Sequence, residues 1–71
     1  DRGGPAPSAA ALEAEAQEAE DEGDYRRAVE AYRGLLAVEG PSPTVNFRLA
    51  DALYRAGDYA AARERYYVAI E

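Results

Sequence analysis

The chain has no cysteine, no histidine, no methionine, no tryptophan and no lysine. The first two absences remove disulfides, zinc and haem sites, and every thiolate or imidazole mechanism. Without lysine, arginine supplies all eight positive charges against fourteen acidic ones, so the net charge is −6 and the isoelectric point about 4.5. A field of that sign repels phosphate backbones and anionic lipid, and neither nucleic acid nor a membrane is an expected partner. Long apolar runs are also missing. No stretch approaches the length that crosses a bilayer, and the opening Asp1-Arg2-Gly3-Gly4 has neither a basic n-region nor an apolar core. A cytoplasmic setting is the expectation. Cations that are all arginine, in a chain rich in alanine and glycine, suggest a G+C-rich bacterial genome. With 71 residues there is room for one small domain, whose buried surface is modest. Bridges and metals being excluded, association is the remaining source of added stability.

What is present is one phrase written twice. Gly23-Asp24-Tyr25 returns as Gly57-Asp58-Tyr59, a shift of 34 residues, and a period of that size marks stacked helix pairs. At the same shift Pro7-Ser8 becomes Pro41-Ser42, Ala16 becomes Ala50, Ala28 becomes Ala62, Glu30 becomes Glu64, Tyr32 becomes Tyr66 and Leu36 becomes Ile70. Glycine turns left-handed at a helix end without a Cβ clash. Aspartate directly after it accepts hydrogen bonds from the next helix's first free amides. Gly23 and Gly57 therefore end helices that Asp24 and Asp58 immediately restart.

Residues 1–7 hold two glycines and two prolines without apolar periodicity and read as a flexible lead-in or linker. Residues 8–40 then form the first helix pair and 41–71 the second. Ser8 caps a helix rich in Ala, Glu and Leu, with a thin stripe of Leu12, Ala16 and Ala19. Its acidic last turn opposes the helix dipole, which predicts fraying near Asp21 and Glu22. The second helix, Tyr25 to Val38, puts Tyr25, Ala28, Val29, Tyr32, Leu35 and Leu36 on one face. Gly34 inside it costs about 1 kcal/mol relative to alanine. Either another helix comes close there or the glycine is tolerated, and tolerance is the reading adopted. Gly40-Pro41 closes this helix and Ser42-Pro43 opens the third. The third, Pro43 to Ala56, has two apolar faces, Val45, Leu49, Ala52, Leu53 and Ala56 on one and Phe47, Ala50 and Tyr54 on the other. Such a helix is sandwiched. The fourth, Tyr59 to Glu71, is expected to bury Tyr59, Ala62, Tyr66, Ala69 and Ile70, to turn Arg63 and Glu64 outward, and to leave Tyr67 and Val68 spare.

The catalytic inventory is empty, and no catalytic residue, cofactor or metal is expected. Glu20-Asp21-Glu22-Gly23-Asp24 gathers acids around a glycine, but a calcium loop needs its glycine after the third ligand and a glutamate at the twelfth position, where this chain has Ala31. Paired carboxylates for glycoside chemistry need a cleft that an alanine-rich surface helix does not offer. Ser8, Ser42 and Thr44 lack an activating base. Gly3-Gly4 lacks the strand, spacing and lysine of a phosphate loop. Of six tyrosines, Tyr25, Tyr32, Tyr59 and Tyr66 occupy matched positions and read as core; Tyr54 and Tyr67 remain for contact.

A 34-residue helical unit with a Gly-Asp-Tyr turn, a small residue early in the second helix and an aromatic four residues on resembles the tetratricopeptide repeat. The second copy matches at Leu49, Ala50, Gly57, Asp58, Tyr59, Ala62, Tyr66, Ala69 and Ile70, with Leu53 in the place of a usual aromatic. The first matches in its second helix at Ala28, Tyr32, Leu35 and Leu36. It departs in its first, where Glu15 replaces an expected leucine and Ala19 an expected aromatic. The likeness spans Ser8 to Glu71 and implies an all-α fold of antiparallel helix pairs stacked as a short right-handed solenoid. It also implies a protein-binding scaffold module that does no chemistry and takes a peptide or helix on its concave face. Carried over by position, that face is Glu13, Gln17, Glu20 and Asp21 in the first pair and Phe47, Arg48, Asp51, Tyr54 and Arg55 in the second. With Gln17 and Asp51 at the family's asparagine positions and no lysine, clamping of a C-terminal carboxylate is not expected. A partner with basic and apolar anchors suits the face better.

Because fewer than about three repeats seldom stand alone, self-association through Tyr67, Val68 and Ile70 is a second reading. A third is the regulatory repeat region of a transcription regulator or of a repeat-bearing enzyme, by analogy with Gly57 to Tyr67. A chain lacking an initiator methionine and stopping mid-repeat at Glu71 reads as a segment of a longer bacterial protein.

Overall fold

The computed structural model describes residues 8–70, so the lead-in expected over residues 1–7 and the final Glu71 lie outside the described residues. Ser8 begins the first helix by accepting a hydrogen bond from the Ala11 amide at 3.1 Å, and α1 runs Ala9–Asp21. Next come α2, Tyr25–Glu39, then α3, Pro43–Ala56, and α4, Tyr59–Ile70. No strand occurs among the described residues. Each helix packs on its neighbours in sequence, α1 on α2, α2 on α3 and α3 on α4. Packing dominated by neighbours in sequence is the mark of a solenoid.

The two Gly-Asp turns are built alike. Gly23 has φ +76° and Gly57 φ +94°. The Gly23 amide bonds to the Glu20 carbonyl at 3.0 Å and the Asp24 amide to the Ala19 carbonyl at 2.8 Å. In the second turn Gly57 bonds to Tyr54 at 3.0 Å and Asp58 to Leu53 at 2.9 Å. Both are Schellman closures, in which a left-handed residue lets the chain satisfy the last free carbonyls. Each aspartate then opens the next helix with its side chain, Asp24 accepting from the Arg27 amide at 3.3 Å and Asp58 from the Ala61 amide at 3.4 Å. Two residues thus end one helix and start another. Between the pairs, Gly40 ends α2, and Ser42 caps α3 through the Val45 amide at 3.2 Å with Pro43 in the first turn.

The core gathers Ala16 and Ala19 of α1, the α2 stripe of Ala28, Val29, Ala31, Tyr32 and Leu35, and Leu49, Ala52 and Leu53 of α3. Leu35 and Leu49 are its largest fully buried side chains. Three sequence expectations are corrected. Gly34 is a place of close approach, since a Cβ there would lie 3.2 Å from a Leu12 methyl. On α4 only Ala62 is buried, while Tyr66 and Ala69 are half-buried and Tyr59 and Ile70 are 64% and 77% exposed. The matched position of Tyr59 misled because Tyr25 is covered from the next pair, by the Arg55 guanidinium 5.7 Å from its ring centre. On the second apolar face of α3, Ala50 is buried but Phe47 and Tyr54 are exposed.

One arginine gathers the acids of α1 and its C-cap. Arg27, in the first turn of α2, donates to Glu15 and, at 2.9 Å each, to Glu18 and Glu22. Glu15, Glu18 and Glu22 recur at spacings of three and four, so they share a face. The hydrogen bond from Arg27 holds the Glu15 carboxyl below its ordinary range, and the same contact, with Glu22 behind it, raises the guanidinium further. Asp21 is tied separately, by the Gln17 amide at 3.2 Å.

Candidate functional site

The first helices of the two pairs, α1 and α3, face each other across a groove floored by α2. Its deeper part, a hollow of about 330 Å³, is bounded by Glu13 and Gln17 on one wall, Thr44, Val45 and Arg48 on the other, with Tyr32 and Leu35 beneath. A second hollow of about 270 Å³ continues it, sharing Gln17, Tyr32 and Arg48 and adding Glu20, Phe47 and Asp51. Helix α1 thus supplies carboxylates and an amide, whereas α3 supplies a guanidinium, a carboxylate and an aromatic ring.

Tyr32 fixes the floor. It is buried, yet its hydroxyl donates to Glu20 Oε2 at 2.9 Å, so the polar end of an otherwise apolar side chain is satisfied as burial requires. Burial first and the neighbouring Glu20 carboxylate second push this phenol up to about 12. Phe47 stands at the rim, 57% exposed, held edge-on against Tyr66 with ring centres 5.6 Å apart. A large exposed ring steadied on one side and open on the other is a ready apolar contact.

Six of the nine residues expected on the concave face line this groove, namely Glu13, Gln17, Glu20, Phe47, Arg48 and Asp51. The other three line neither hollow. Asp21 is engaged by Gln17. Arg55 pairs with Asp51 at 3.2 Å and lies over Tyr25. Tyr54 turns to α4, edge-on to Tyr59 at 5.0 Å, where it borders a shallow aromatic hollow over Ala62 with Arg63, Tyr66 and Tyr67. Tyr67 and Val68 are exposed, like Ile70.

Sequence reasoning missed Asn46, the one buried polar residue among those described. Its amide donates to the Ser42 carbonyl at 3.1 Å, and its oxygen accepts from Arg65 at 3.1 Å, joining α3 to α4. The signal was present in the 34-residue shift, which aligns Asn46 with Leu12, a residue of the α1 stripe.

Among the described residues no cluster of three potential ligands could hold a metal ion, and no helix is long and apolar enough to cross a membrane. Helix pairs joined by matched turns and stacked in one direction define a helical repeat solenoid. The tetratricopeptide repeat family model matches residues 13–71, and the chain belongs to that family. No curated protein and no solved structure matches it. Repeats of this family generally mediate protein–protein contact or scaffolding.

Proposed function

We propose that the chain is a non-catalytic interaction module, built from helix-pair units 8–40 and 41–71 of a larger bacterial, cytoplasmic protein, that holds an extended peptide or a helix in the α1–α3 groove. The observation that carries this reading is the groove's composition. Glu13, Glu20 and Asp51 outnumber Arg48, and Phe47 stands at the rim, so a partner alternating basic and apolar side chains meets charge of opposite sign and an aromatic contact together. Fluorescence anisotropy with a labelled peptide of alternating arginine and leucine tests it. Glu13 and Phe47 are both exposed, so Phe47→Ala and Glu13→Arg are expected to keep wild-type helicity and each to weaken binding about tenfold. Equal affinity for wild type and both variants discards the groove.

A second reading is self-association through Tyr67, Val68 and Ile70. The exposure of all three on α4 supports it, since exposed apolar side chains on a repeat gain from a covering neighbour.

A further inference from the structure

The self-association reading can be given a direction, on which the following rests. Inside the chain, the seam between α2 and α3 places Val29 beside Leu53 and Ala56, next to the Gly57-Asp58 turn, and sets Tyr32 and Leu35 against Thr44, Val45 and Arg48. Moving the α2 side forward by 34 residues gives Arg63, Tyr66 and Ala69 of α4. Moving the α3 side back by 34 gives Glu22 beside the Gly23-Asp24 turn, with the exposed Ala10, Ala11 and Ala14 along α1 and the already buried Ala19 between them. The surface left open on α4 and the outer surface of α1 are therefore the two halves of a seam the chain already makes once.

The residues that differ between the copies differ reciprocally. Where α2 has Val29 at the seam, α4 has Arg63, and where α3 has Ala56 there, the end of α1 has Glu22. One side of the unmade seam exchanges an apolar group for guanidinium, the other for carboxylate. Arg27 cannot balance three carboxylates alone, which leaves two formal negative charges on α1 for cations from outside. Farther along, the 34-residue shift sets Tyr66 and Ala69 opposite the positions of the exposed alanines Ala10, Ala11 and Ala14.

We propose that a second copy of this chain docks its α1 onto α4 of the first, in the register of the α2–α3 seam, with Arg63 facing Glu22 and Asp24 of its neighbour. The contact is head-to-tail, so it does not close on two subunits and extends to longer assemblies as concentration rises. It is weak and salt-sensitive, because its charged half lies at the surface.

Sedimentation velocity of the full chain at concentrations from about 10 μM to about 1 mM tests this. The expected result is a continuous rise in mean mass beyond dimer at low salt. Arg63→Glu keeps wild-type helicity by circular dichroism, since Arg63 is exposed, and weakens association about tenfold or more. Adding Glu22→Arg in the same chain restores it to within about threefold. A monomer throughout overturns both the docking and the self-association reading. Association that ends at a dimer and ignores Arg63→Glu overturns the head-to-tail register while leaving self-association standing.

Discussion

Replacing Gly57 with alanine isolates the turn on which the repeat depends. A Cβ built at Gly57 meets nothing within 4 Å, so the substitution has no packing cost and acts through φ alone. Holding an alanine at φ +94° costs about 1–2 kcal/mol. The stiffer unfolded chain returns about 0.4–1 kcal/mol, leaving about 1 kcal/mol of net destabilisation and a fall in Tm of about 4–8 °C for a domain of this size. Gly34→Ala is the internal control, because it makes the same chemical change inside a helix. Alanine there gains about 0.8–1 kcal/mol of helix propensity. Its Cβ would approach two Leu12 methyl carbons to 3.2 and 3.3 Å, and these end a half-buried side chain that can shift by a few tenths of an ångström. The expected outcome is a stability unchanged or raised by up to about 1 kcal/mol. Urea unfolding followed by far-UV circular dichroism at one fixed protein concentration reads both as changes in midpoint at constant slope. A Gly57→Ala chain as stable as wild type would show that the turn does not need its left-handed residue, and the reasoning from Gly-Asp punctuation would fail.

Other outcomes follow from the packing and the ionisable groups. Leu35→Ala removes one of the largest fully buried side chains and should cost about 2–5 kcal/mol, a large share of the roughly 3–10 kcal/mol available to a chain of this length; thermal melts should show a loss of about 10 °C or more, or no folded baseline. The Glu15 carboxyl is held by Arg27 below its ordinary value of 4.5, so it contributes stability above that pH that is lost as pH falls through the folded value. Arg27→Gln should be less stable at neutral pH and show a shallower acid decline in urea midpoints, and an unchanged acid limb would refute the clasp. Tyr32 shifts in the opposite sense. Its phenol, raised from 10.0 to about 12, contributes stability present below pH 10 and lost as pH rises toward 12, and Tyr32→Phe should flatten that alkaline loss.

How much was legible in the sequence followed the range of each interaction. The Gly-Asp turns and the Ser8 and Ser42 caps act within five residues, so their chemistry is written beside them. The α2 stripe was legible because it has one helical period and one covered face. What escaped was set by helix crossings. Glu15 read only as a departure from an expected leucine, and Glu22 as part of an acidic last turn, until the approach of α2 brought Arg27 among Glu15, Glu18 and Glu22. Gly34 was taken as tolerated because the position of Leu12 across the first pair is not a local property. Tyr59 was assigned to the core by its match to Tyr25, yet repeat symmetry equates positions within a unit and not the neighbours outside it. Tyr54 and Arg55 were drawn to the groove by family position, while an aromatic partner on α4 and an ion pair with Asp51 hold them outside its hollows.

The most direct test of the account is a backbone amide NMR titration with the peptide of alternating arginine and leucine. The groove assignment predicts that the largest shift changes fall on Glu13, Gln17, Phe47 and Arg48, on the facing sides of α1 and α3. Changes confined to α2 and α4, or none at peptide excess, would contradict it.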